Sequence, residues 1–308
     1  MNDMMSDIRG AVQGEIRFDE PMSAHTSLKI GGPVDIMAFP EDPVSLKKIL
    51  AAARNEDIPV FVFGAGTNLL AVDGRIKGIA VSLKAFRTIE YTKQTDEEKA
   101  VLYVGAGTPL AMLVNFACEA GYSGIEGLVG IPGYVGGAVF MNAGSFGAEI
   151  KDVITSIAVM NMRGEISFLD RDELEFSYRH LALPEGLLIL SANIALRKDS
   201  PADVTARTRE FMNRKKAAQP LGAPSAGCVF KNPEGDAAGR LIDAAGCKGM
   251  TAGGIEVSRV HANYFINKNG GTCAEFLRLM ETVKKKVMES SGIELEPEIK
   301  IIGDNTDA

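Results

Sequence analysis

Residues 59–70 read Pro59-Val60-Phe61-Val62-Phe63-Gly64-Ala65-Gly66-Thr67-Asn68-Leu69-Leu70. The apolar run at the start is typical of a buried β-strand, and the glycines after it expose backbone amides that can cradle a pyrophosphate. A Rossmann fingerprint is disfavoured, because Leu69 stands where the third glycine would be and no helical period follows. We predict a strand that leads into a phosphate-binding loop of another kind; the alternative is an ordinary glycine-rich turn without a ligand.

Helix and strand patterns occur on both sides of this stretch. Helical spacing of apolar residues is found at 46–53, 110–117, 202–216 and 276–287. Strand-like runs are found at 79–83, 101–104, 154–160, 187–195 and 294–302. Thr272 and Glu275 form a capping-box pattern in front of the last helix. The mixture predicts an α+β fold, with a boundary near Ser200-Pro201.

A second glycine-dense segment runs from Gly124 to Ala138 and is followed by Met141-Asn142-Ala143-Gly144. Glycine costs about 1 kcal/mol relative to alanine inside a helix, so this density indicates turns with positive φ or close contact with a ligand. Two such loops in one chain indicate an extended ligand. A dinucleotide with its pyrophosphate across both loops and a flavin ring near the second would fit.

The stretch from Ser225 to Pro233 places Cys228 beside a lysine, an amide and small residues. A thiol is a usable acid near neutral pH, and the small neighbours let the backbone approach a ligand closely. The stretch therefore predicts a proton donor in an enzyme site. The competing interpretation is that Cys228 is a small buried core residue.

Composition excludes several classes of protein. A net charge of −7 disfavours nonspecific nucleic-acid binding, which needs a basic surface. The 308 residues contain no apolar run near the roughly 18 residues of a membrane span, and the acidic start at 1–7 lacks a signal-peptide pattern, so we expect a cytoplasmic protein without membrane partners. Four scattered cysteines and three scattered histidines predict neither a metal site nor a disulfide framework.

Six motifs occur together in the order that one family of flavoenzymes shows. They are Thr26–Pro33, Gly64–Leu70, 130–144, Ser177–Arg179, Ser225–Pro233, and Leu295–Glu298 with Gly303. Over about residues 23–303 the chain resembles the UDP-N-acetylenolpyruvoylglucosamine reductases, the MurB-type UDP-N-acetylmuramate dehydrogenases of peptidoglycan precursor synthesis. Because His180–Gly186 returns at once to a strand-like run, the resemblance is to the shorter-loop, type II-like members.

This resemblance implies an α+β architecture, in which a two-lobed FAD-binding domain of the vanillyl-alcohol-oxidase (PCMH) type precedes an α+β substrate-binding domain. The implied divisions are an N-terminal extension at 1–22, an FAD-binding domain at 23–200 with lobes at about 23–85 and 86–200, a substrate-binding domain at 201–303 and a tail at 304–308.

The resemblance also implies an enzyme that reduces the enolpyruvyl group of UDP-N-acetylglucosamine enolpyruvate to UDP-N-acetylmuramate. FAD and NADPH are the implied cofactors, and the product serves cell wall biogenesis and hence cell shape and cell division. His25 lacks the pattern of covalently flavinylated relatives, so we expect noncovalent FAD. The partner is then a small UDP-sugar, and we favour a monomer, although the oligomeric state is not assigned by sequence.

Three catalytic residues follow from the resemblance. Arg179 matches the family's arginine, whose planar fork suits a carboxylate that gains charge. Cys228 lies where the family has its proton donor, often a serine, and Glu298 matches the assisting glutamate. Taken singly, Arg179 and Glu298 would be ordinary surface side chains.

The remaining site residues also follow from the resemblance. Cofactor-binding positions are Gly31, Gly64, Ala65, Gly66, Thr67, Asn68, Leu69, Gly130, Pro132, Gly133, Gly136, Gly137, Asn142 and Gly144. Substrate-binding positions are Tyr178, Lys231 and Asn232. Lys215 and Lys216 are both candidates for the lysine that meets the substrate pyrophosphate, and His261–Tyr264 is interpreted as structural.

Two other functions remain open at this stage. An oxidase of the same flavin-binding superfamily would use oxygen instead of NADPH, but it would need a base more than a proton donor. A binding module that had lost the chemistry would not be expected to keep Arg179, Cys228 and Glu298 together.

Overall fold

The computed structural model describes residues 12–92 and 95–303. Predicted positions within 1–11, 93–94 and 304–308 lie outside the described residues, including half of the N-terminal extension and the whole tail. In the described part of the chain the α-helices are α1 (Pro43–Asn55), α2 (Leu110–Ala120), α3 (Val135–Phe140), α4 (Pro201–Ala218), α5 (Ala238–Ala244) and α6 (Cys273–Ser291). None of the helices described here is long and apolar enough to cross a membrane.

The strands, in chain order, are β1 (Gly14–Pro21), β2 (Pro33–Pro40), β3 (Val60–Phe63), β4 (Leu69–Ala71), β5 (Ile76–Ser82), β6 (Ile89–Tyr91), β7 (Lys99–Gly105), β8 (Tyr122–Ser123), β9 (Gly144–Ser145), β10 (Ala148–Glu149), β11 (Ile154–Met160), β12 (Ile166–Asp170), β13 (Glu175–Ser177), β14 (His180–Ala182), β15 (Leu188–Lys198), β16 (Thr251–Ala252), β17 (Ile255–Val257), β18 (Phe265–Asn267) and β19 (Lys300–Ile302).

The chain forms two compact units. The first unit contains residues 12–18, 36–65, 78–92 and 95–214 of the described chain. One of its sheets has the order β1-β2-β5-β3, with β3 parallel to β5, and the other has the order β12-β11-β15-β7-β6, with β8 also paired to β15. Apolar side chains form its main core cluster, and α1 and α2 bury their predicted faces in it.

The second unit contains residues 19–35, 66–77 and 215–303. The small antiparallel sheet β16-β17-β18 and the parallel pair β19-β4 belong to it. Helix α6 packs its apolar face into a core that also includes Leu28 and Leu70. This unit is built from three separate stretches of chain, whereas the sequence analysis divides the chain once, near residue 200. The division into an FAD-binding domain at 23–200 and a substrate-binding domain at 201–303 stays a prediction.

The helix patterns in the sequence are confirmed by the structure. Leu46, Ile49, Leu50 and Ala53 are all buried in α1, and Asp42 accepts a hydrogen bond from the amide of Ser45 at its N-terminus. The capping box of α6 forms as expected, since the Thr272 and Glu275 side chains accept bonds from each other's backbone amides. Local patterns therefore determine these helices.

The strand prediction for residues 294–302 is wrong over most of its length. Only Lys300–Ile302 forms a strand, β19, which pairs in parallel with β4. Before it, Pro297 has no amide hydrogen to donate, and the amides of Glu298 and Ile299 both donate to the carbonyl of Val229. An isolated antiparallel bridge between Phe230 and Pro297 therefore holds the chain there, instead of a continuous ladder.

Candidate active site

The first glycine loop follows β3 and leads directly into β4, which confirms that no helix follows it. Gly66 has a φ of +63°, and a Cβ at this position would lie 2.0 Å from the carbonyl oxygen of His25, so only glycine fits without a shift. The carbonyl of Gly66 accepts a bond from the amide of Ser27. The segment containing Ser27 thus fixes the second half of the loop.

The loop presents unused backbone donors. Among the described residues, no acceptor is found for the amides of Gly64, Ala65 and Gly66. Consecutive unpaired amides in a glycine turn form a concavity that suits an anion such as a pyrophosphate. The loop therefore fits the phosphate-bearing part of FAD.

The Cys228 segment is anchored on both sides. Ser27 donates its hydroxyl to the carbonyl of Ser225 at 2.6 Å. On the other side, the Asn263 side chain accepts from the amide of Phe230 at 2.9 Å and donates to the Phe230 carbonyl at 2.7 Å. Phe230 is fully buried, whereas Cys228 is half-buried and pairs with Tyr264 in an isolated antiparallel bridge. The thiol is therefore carried on a backbone whose neighbours are fixed in the core.

Glu298 lies next to this segment. Its amide donates to the carbonyl of Val229 at 2.8 Å, one residue after Cys228. Its own carbonyl accepts from the Asn68 side chain at 3.1 Å. The second unit thus brings together three parts of the predicted site that are far apart in sequence: the first glycine loop, Cys228 and Glu298.

The predicted substrate residues of the same unit have protein partners. Lys231 forms an ion pair with Glu296, and the two residues are also joined by a backbone bond from the Lys231 amide to the Glu296 carbonyl. Asn232 is exposed, and its side-chain oxygen accepts from the amide of Ala238 at the start of α5. Both positions therefore border the Cys228 segment, and their substrate contacts stay a prediction.

The second glycine segment lies in the first unit and ends in α3. Gly130 and Gly133 have positive φ values of +73° and +124°. A Cβ on Gly136 would lie 2.8 Å from the Cβ of Ala106, so close packing against Ala106 explains the glycine at this position. Gly137 is exposed, and a Cβ there would meet none of the described atoms within 4 Å outside its own helix. Space for a ligand therefore exists at Gly137.

A buried carboxylate that sequence reasoning missed supports this segment. Glu126 accepts from the Gly124 amide at 2.7 Å and from the Arg207 guanidinium at 2.8 Å, and Arg207 also reaches Asp199. Burial alone would raise the pKa of Glu126, but the hydrogen bonds from Gly124 and Arg207 outweigh it and hold the pKa below its usual value. Glu126 and Arg207 are 81 residues apart in the sequence, so no local sequence pattern indicates that they pair.

The Arg179 turn belongs to the first unit as well. Ser177 pairs with His180 in the β13-β14 hairpin, so Tyr178 and Arg179 form a two-residue turn. Arg179 has a φ of +57°, which is uncommon for a residue with a long side chain, and its guanidinium carbon lies 5.1 Å from the centre of the Tyr178 ring. Residues 183–187 alone connect β14 to β15, in agreement with the shorter-loop prediction.

Three further predicted cofactor positions, Asn142, Gly144 and Gly31, have contacts within the protein. Asn142 is fully buried and donates its side-chain amide to the Ser177 carbonyl, and Gly144 pairs with Glu149 in the β9-β10 hairpin. Gly31 has a φ of +138° and faces Met22 and Ala71 so closely that a Cβ would clash. Contacts from these three positions to a cofactor stay predictions.

The titratable groups give no metal centre. Among residues 12–92 and 95–303, no group of three or more His, Cys, Asp and Glu side chains is arranged to hold a metal ion. Cys118, Cys228, Cys247 and Cys273 are not joined by disulfide bonds, and the last two are buried.

Comparison with protein families gives two matches along the chain. Residues 34–170 match the family described as FAD binding domain. Residues 219–302 match the family described as UDP-N-acetylenolpyruvoylglucosamine reductase, C-terminal domain. The chain is also similar to two curated proteins named UDP-N-acetylenolpyruvoylglucosamine reductase. That of Geotalea uraniireducens is 40% identical over 98% of this chain and 99% of the relative, and that of Pelobacter propionicus is 41% identical over 95% and 97%.

Solved structures give the same result. The UDP-N-acetylenolpyruvylglucosamine reductase (MurB) of Thermus caldophilus matches with a TM-score of 0.79 and 33% identity, over 94% of this chain and 99% of that protein. The 6-hydroxy-D-nicotine oxidase of Arthrobacter nicotinovorans matches in fold, with a TM-score of 0.55 and 12% identity over 92% and 88%. These matches confirm the predicted α+β class, an FAD-binding region of the vanillyl-alcohol-oxidase type with a C-terminal substrate-binding region.

Proposed function

This chain belongs to the family of UDP-N-acetylenolpyruvoylglucosamine reductases, and we propose that Arg179, Cys228 and Glu298 are the catalytic residues of its reaction. It is an FAD- and NADPH-dependent oxidoreductase of peptidoglycan precursor synthesis, and its substrate is the UDP-sugar that carries an enolpyruvyl group. The observation that carries the catalytic proposal is the backbone bond that joins Glu298 to the residue after Cys228.

When bound, FAD would supply a hydride, drawn from NADPH, to the terminal vinyl carbon of the substrate. Addition of hydride to that carbon leaves an electron pair on the neighbouring carbon, delocalised into the substrate carboxylate. The protein must therefore stabilise negative charge at the carboxylate and deliver one proton to the neighbouring carbon. The balance is one hydride and one proton added across one carbon–carbon double bond.

We assign the proton to the thiol of Cys228. A thiol is acidic enough to release a proton to a developing carbanion, and it can regain one from solvent because the residue is half-buried rather than enclosed. The anchoring of Phe230 by Asn263 and of Ser225 by Ser27 restricts the backbone on which the thiol sits. A restricted donor needs little reorganisation in the transition state.

We propose that Arg179 binds the carboxylate of the substrate. A guanidinium offers two parallel donors to a carboxylate and stays charged at any working pH, so it stabilises the enolate-like charge more than the ground state. The two-residue turn supports this role, since it holds the arginine in a backbone conformation that an ordinary surface residue would rarely keep.

Glu298 acts beside Cys228 in the proposal. Its backbone is bonded to Val229 and to Asn68, so its side chain starts from a fixed position next to the thiol segment and the first glycine loop. As a protonated or hydrogen-bonded acid it would assist proton delivery without carrying net charge into the site.

The cofactor proposal rests on the two glycine segments. The unpaired amides of residues 64–66 would bind the FAD pyrophosphate, and the open space at Gly137 would accept the cofactor without contact with a side chain. We also propose noncovalent FAD, with residues 23–200 as its domain in lobes at about 23–85 and 86–200, and residues 201–303 as the substrate domain.

Tyr178, Lys231 and Asn232 are the proposed substrate contacts, and either Lys215 or Lys216 would meet the substrate pyrophosphate. We further propose a cytoplasmic location, because nucleotide sugars and NADPH are metabolites of the cell interior. We also propose that the protein is a monomer. Size-exclusion chromatography with light scattering tests the monomer, and a mass near twice 32.8 kDa would contradict it.

The test separates the two half-reactions in anaerobic stopped-flow experiments. We expect Cys228→Ala to keep flavin reduction by NADPH and to lose flavin reoxidation by the enolpyruvyl substrate, while Cys228→Ser keeps both. Cys118→Ala is the matched control, since Cys118 is also half-buried and its thiol donates to the hydroxyl of Thr208 in the first unit. Equal loss of both half-reactions in Cys228→Ala would refute the proposal that the thiol is the proton donor.

A further inference from the structure

Asn142 is a buried polar residue that the proposed reaction does not use. Its exposed fraction is 0%, and its backbone adopts a φ of +41° directly after helix α3. Asparagine enters this left-handed region more readily than most residues, which explains the residue type at the end of a helix. Backbone conformation alone would, however, be satisfied equally well by glycine.

The side chain of Asn142 links two separate pieces of backbone. Its Nδ2 donates to the carbonyl of Ser177 at 2.9 Å, and its Oδ1 accepts from the amide of Lys151 at 3.3 Å. Both bonds lie within the first unit, and they join the end of α3 to the last residue of β13 and to the backbone at Lys151. A buried amide with both ends bonded fixes the distance between the segments that it joins.

Ser177 is the residue from which the Arg179 turn starts. It pairs with His180, so only Tyr178 and Arg179 lie between the two strands of the hairpin. Arg179 holds a φ of +57°, a conformation that persists only where the surroundings impose it. Strands β13 and β14 have three residues each, so the hairpin itself supplies few constraints.

We propose that Asn142 is a positioning residue that fixes the Ser177–His180 turn and so aims Arg179, instead of a contact to the cofactor. The inference rests on the catalytic role proposed above for Arg179. It assigns a function to the amide in the Met141–Gly144 motif that differs from the cofactor contact expected from sequence.

Asn142→Gly is the discriminating variant, because glycine keeps the positive φ and removes only the side-chain bonds. We expect flavin reoxidation by substrate to slow by about 10- to 100-fold, as for a misplaced catalytic group, with flavin reduction by NADPH changed less than about twofold. Val139→Ala, a buried truncation in the same helix, controls for lost stability and should leave both rates near those of the wild type.

A double-mutant cycle with Arg179→Lys separates positioning from general damage. If Asn142 acts through Arg179, the double variant is no slower than Arg179→Lys alone, because coupled residues are not additive. Additive losses, equal losses in both half-reactions, or unchanged reoxidation in Asn142→Gly would each overturn the inference. Unchanged reoxidation in Arg179→Lys would instead overturn the role of Arg179 in the proposed function.

A second variant keeps the inference testable if Asn142→Gly does not fold. Asn142→Asp preserves the shape and the acceptor for the Lys151 amide, and in assays at a pH above the pKa of the introduced carboxyl the ionised group cannot donate to the Ser177 carbonyl. We expect the same selective loss of substrate-dependent reoxidation. Wild-type reoxidation in this variant would show that the bond to Ser177 is not needed.

Discussion

Asn263 is expected to control the stability of the segment that carries Cys228. Its side chain alone satisfies both backbone polar groups of Phe230, with donor–acceptor distances of 2.9 and 2.7 Å. Asn263 is 1% exposed and Phe230 is 0% exposed, so water does not reach these groups in the native state. Asn263→Ala would leave one buried amide and one buried carbonyl without partners.

The magnitude follows from the cost of such groups. Each unsatisfied buried backbone group costs about 1–3 kcal/mol, so the two together cost about 2–6 kcal/mol, with about 4 kcal/mol as the centre. Because 1.4 kcal/mol corresponds to a factor of ten, opening of the segment should become about 1,000 times more frequent. The effect should be confined at first to the second unit, which contains both residues.

Hydrogen exchange measures this opening directly. We would follow the peptide that contains residues 228–233 by mass spectrometry and compare Asn263→Ala with Asn161→Ala. Asn161 is half-buried, but its side-chain bonds to Glu165 and to the Arg163 amide lie at the exposed surface, so water can replace these partners and the cost should stay below about 1 kcal/mol. Exchange in Asn263→Ala within about tenfold of the wild type would refute the reasoning that the amide pair anchors this segment.

Other substitutions test single features of the two units. Glu126→Gln should cost about 1–2 kcal/mol at pH 7, because the ionised form is the one bonded in the native state. The lowered pKa means that this contribution is present above the unfolded pKa of about 4.3 and is lost as the pH falls through the native value, so urea midpoints of wild type and variant should converge at low pH. Gly66→Ala should destabilise the apoprotein in thermal unfolding, whereas Gly137→Ala should not, yet should weaken FAD binding in fluorescence titrations. Thr272→Ala should lower stability by about 1 kcal/mol by removing the cap of α6, as measured by urea unfolding, while Thr282→Ala inside the helix should be neutral or slightly stabilising.

Three outcomes would contradict these expectations. Urea midpoints for Glu126→Gln that stay separated by the same amount at all pH values would mean that ionisation is not the source of its effect. Unchanged FAD affinity in Gly137→Ala would remove the open space at α3 from the cofactor proposal. Equal effects of the two threonine substitutions would show that the cap contributes nothing to α6.

Sequence alone determined the elements whose information is local. The 3.6-residue period of Leu46 to Ala53 and the capping box at Thr272 predicted helices that the structure contains. The missing helical period after Leu69 excluded a Rossmann loop, and β4 follows there. The motifs also identified the family, because their order along the chain is itself a one-dimensional property.

Tertiary structure alone decided which distant groups meet. Asn263 satisfies Phe230, Glu126 meets Arg207, and the Glu298 amide meets the carbonyl beside Cys228, although each pair is separated by tens of residues. The strand expected at 294–302 failed for the same reason, since its amides bond to Val229 and not to a neighbouring ladder. Local propensity reflects interactions within a few residues, whereas a buried polar group takes whichever partner the packed core brings to it, and that choice is made only when the chain folds.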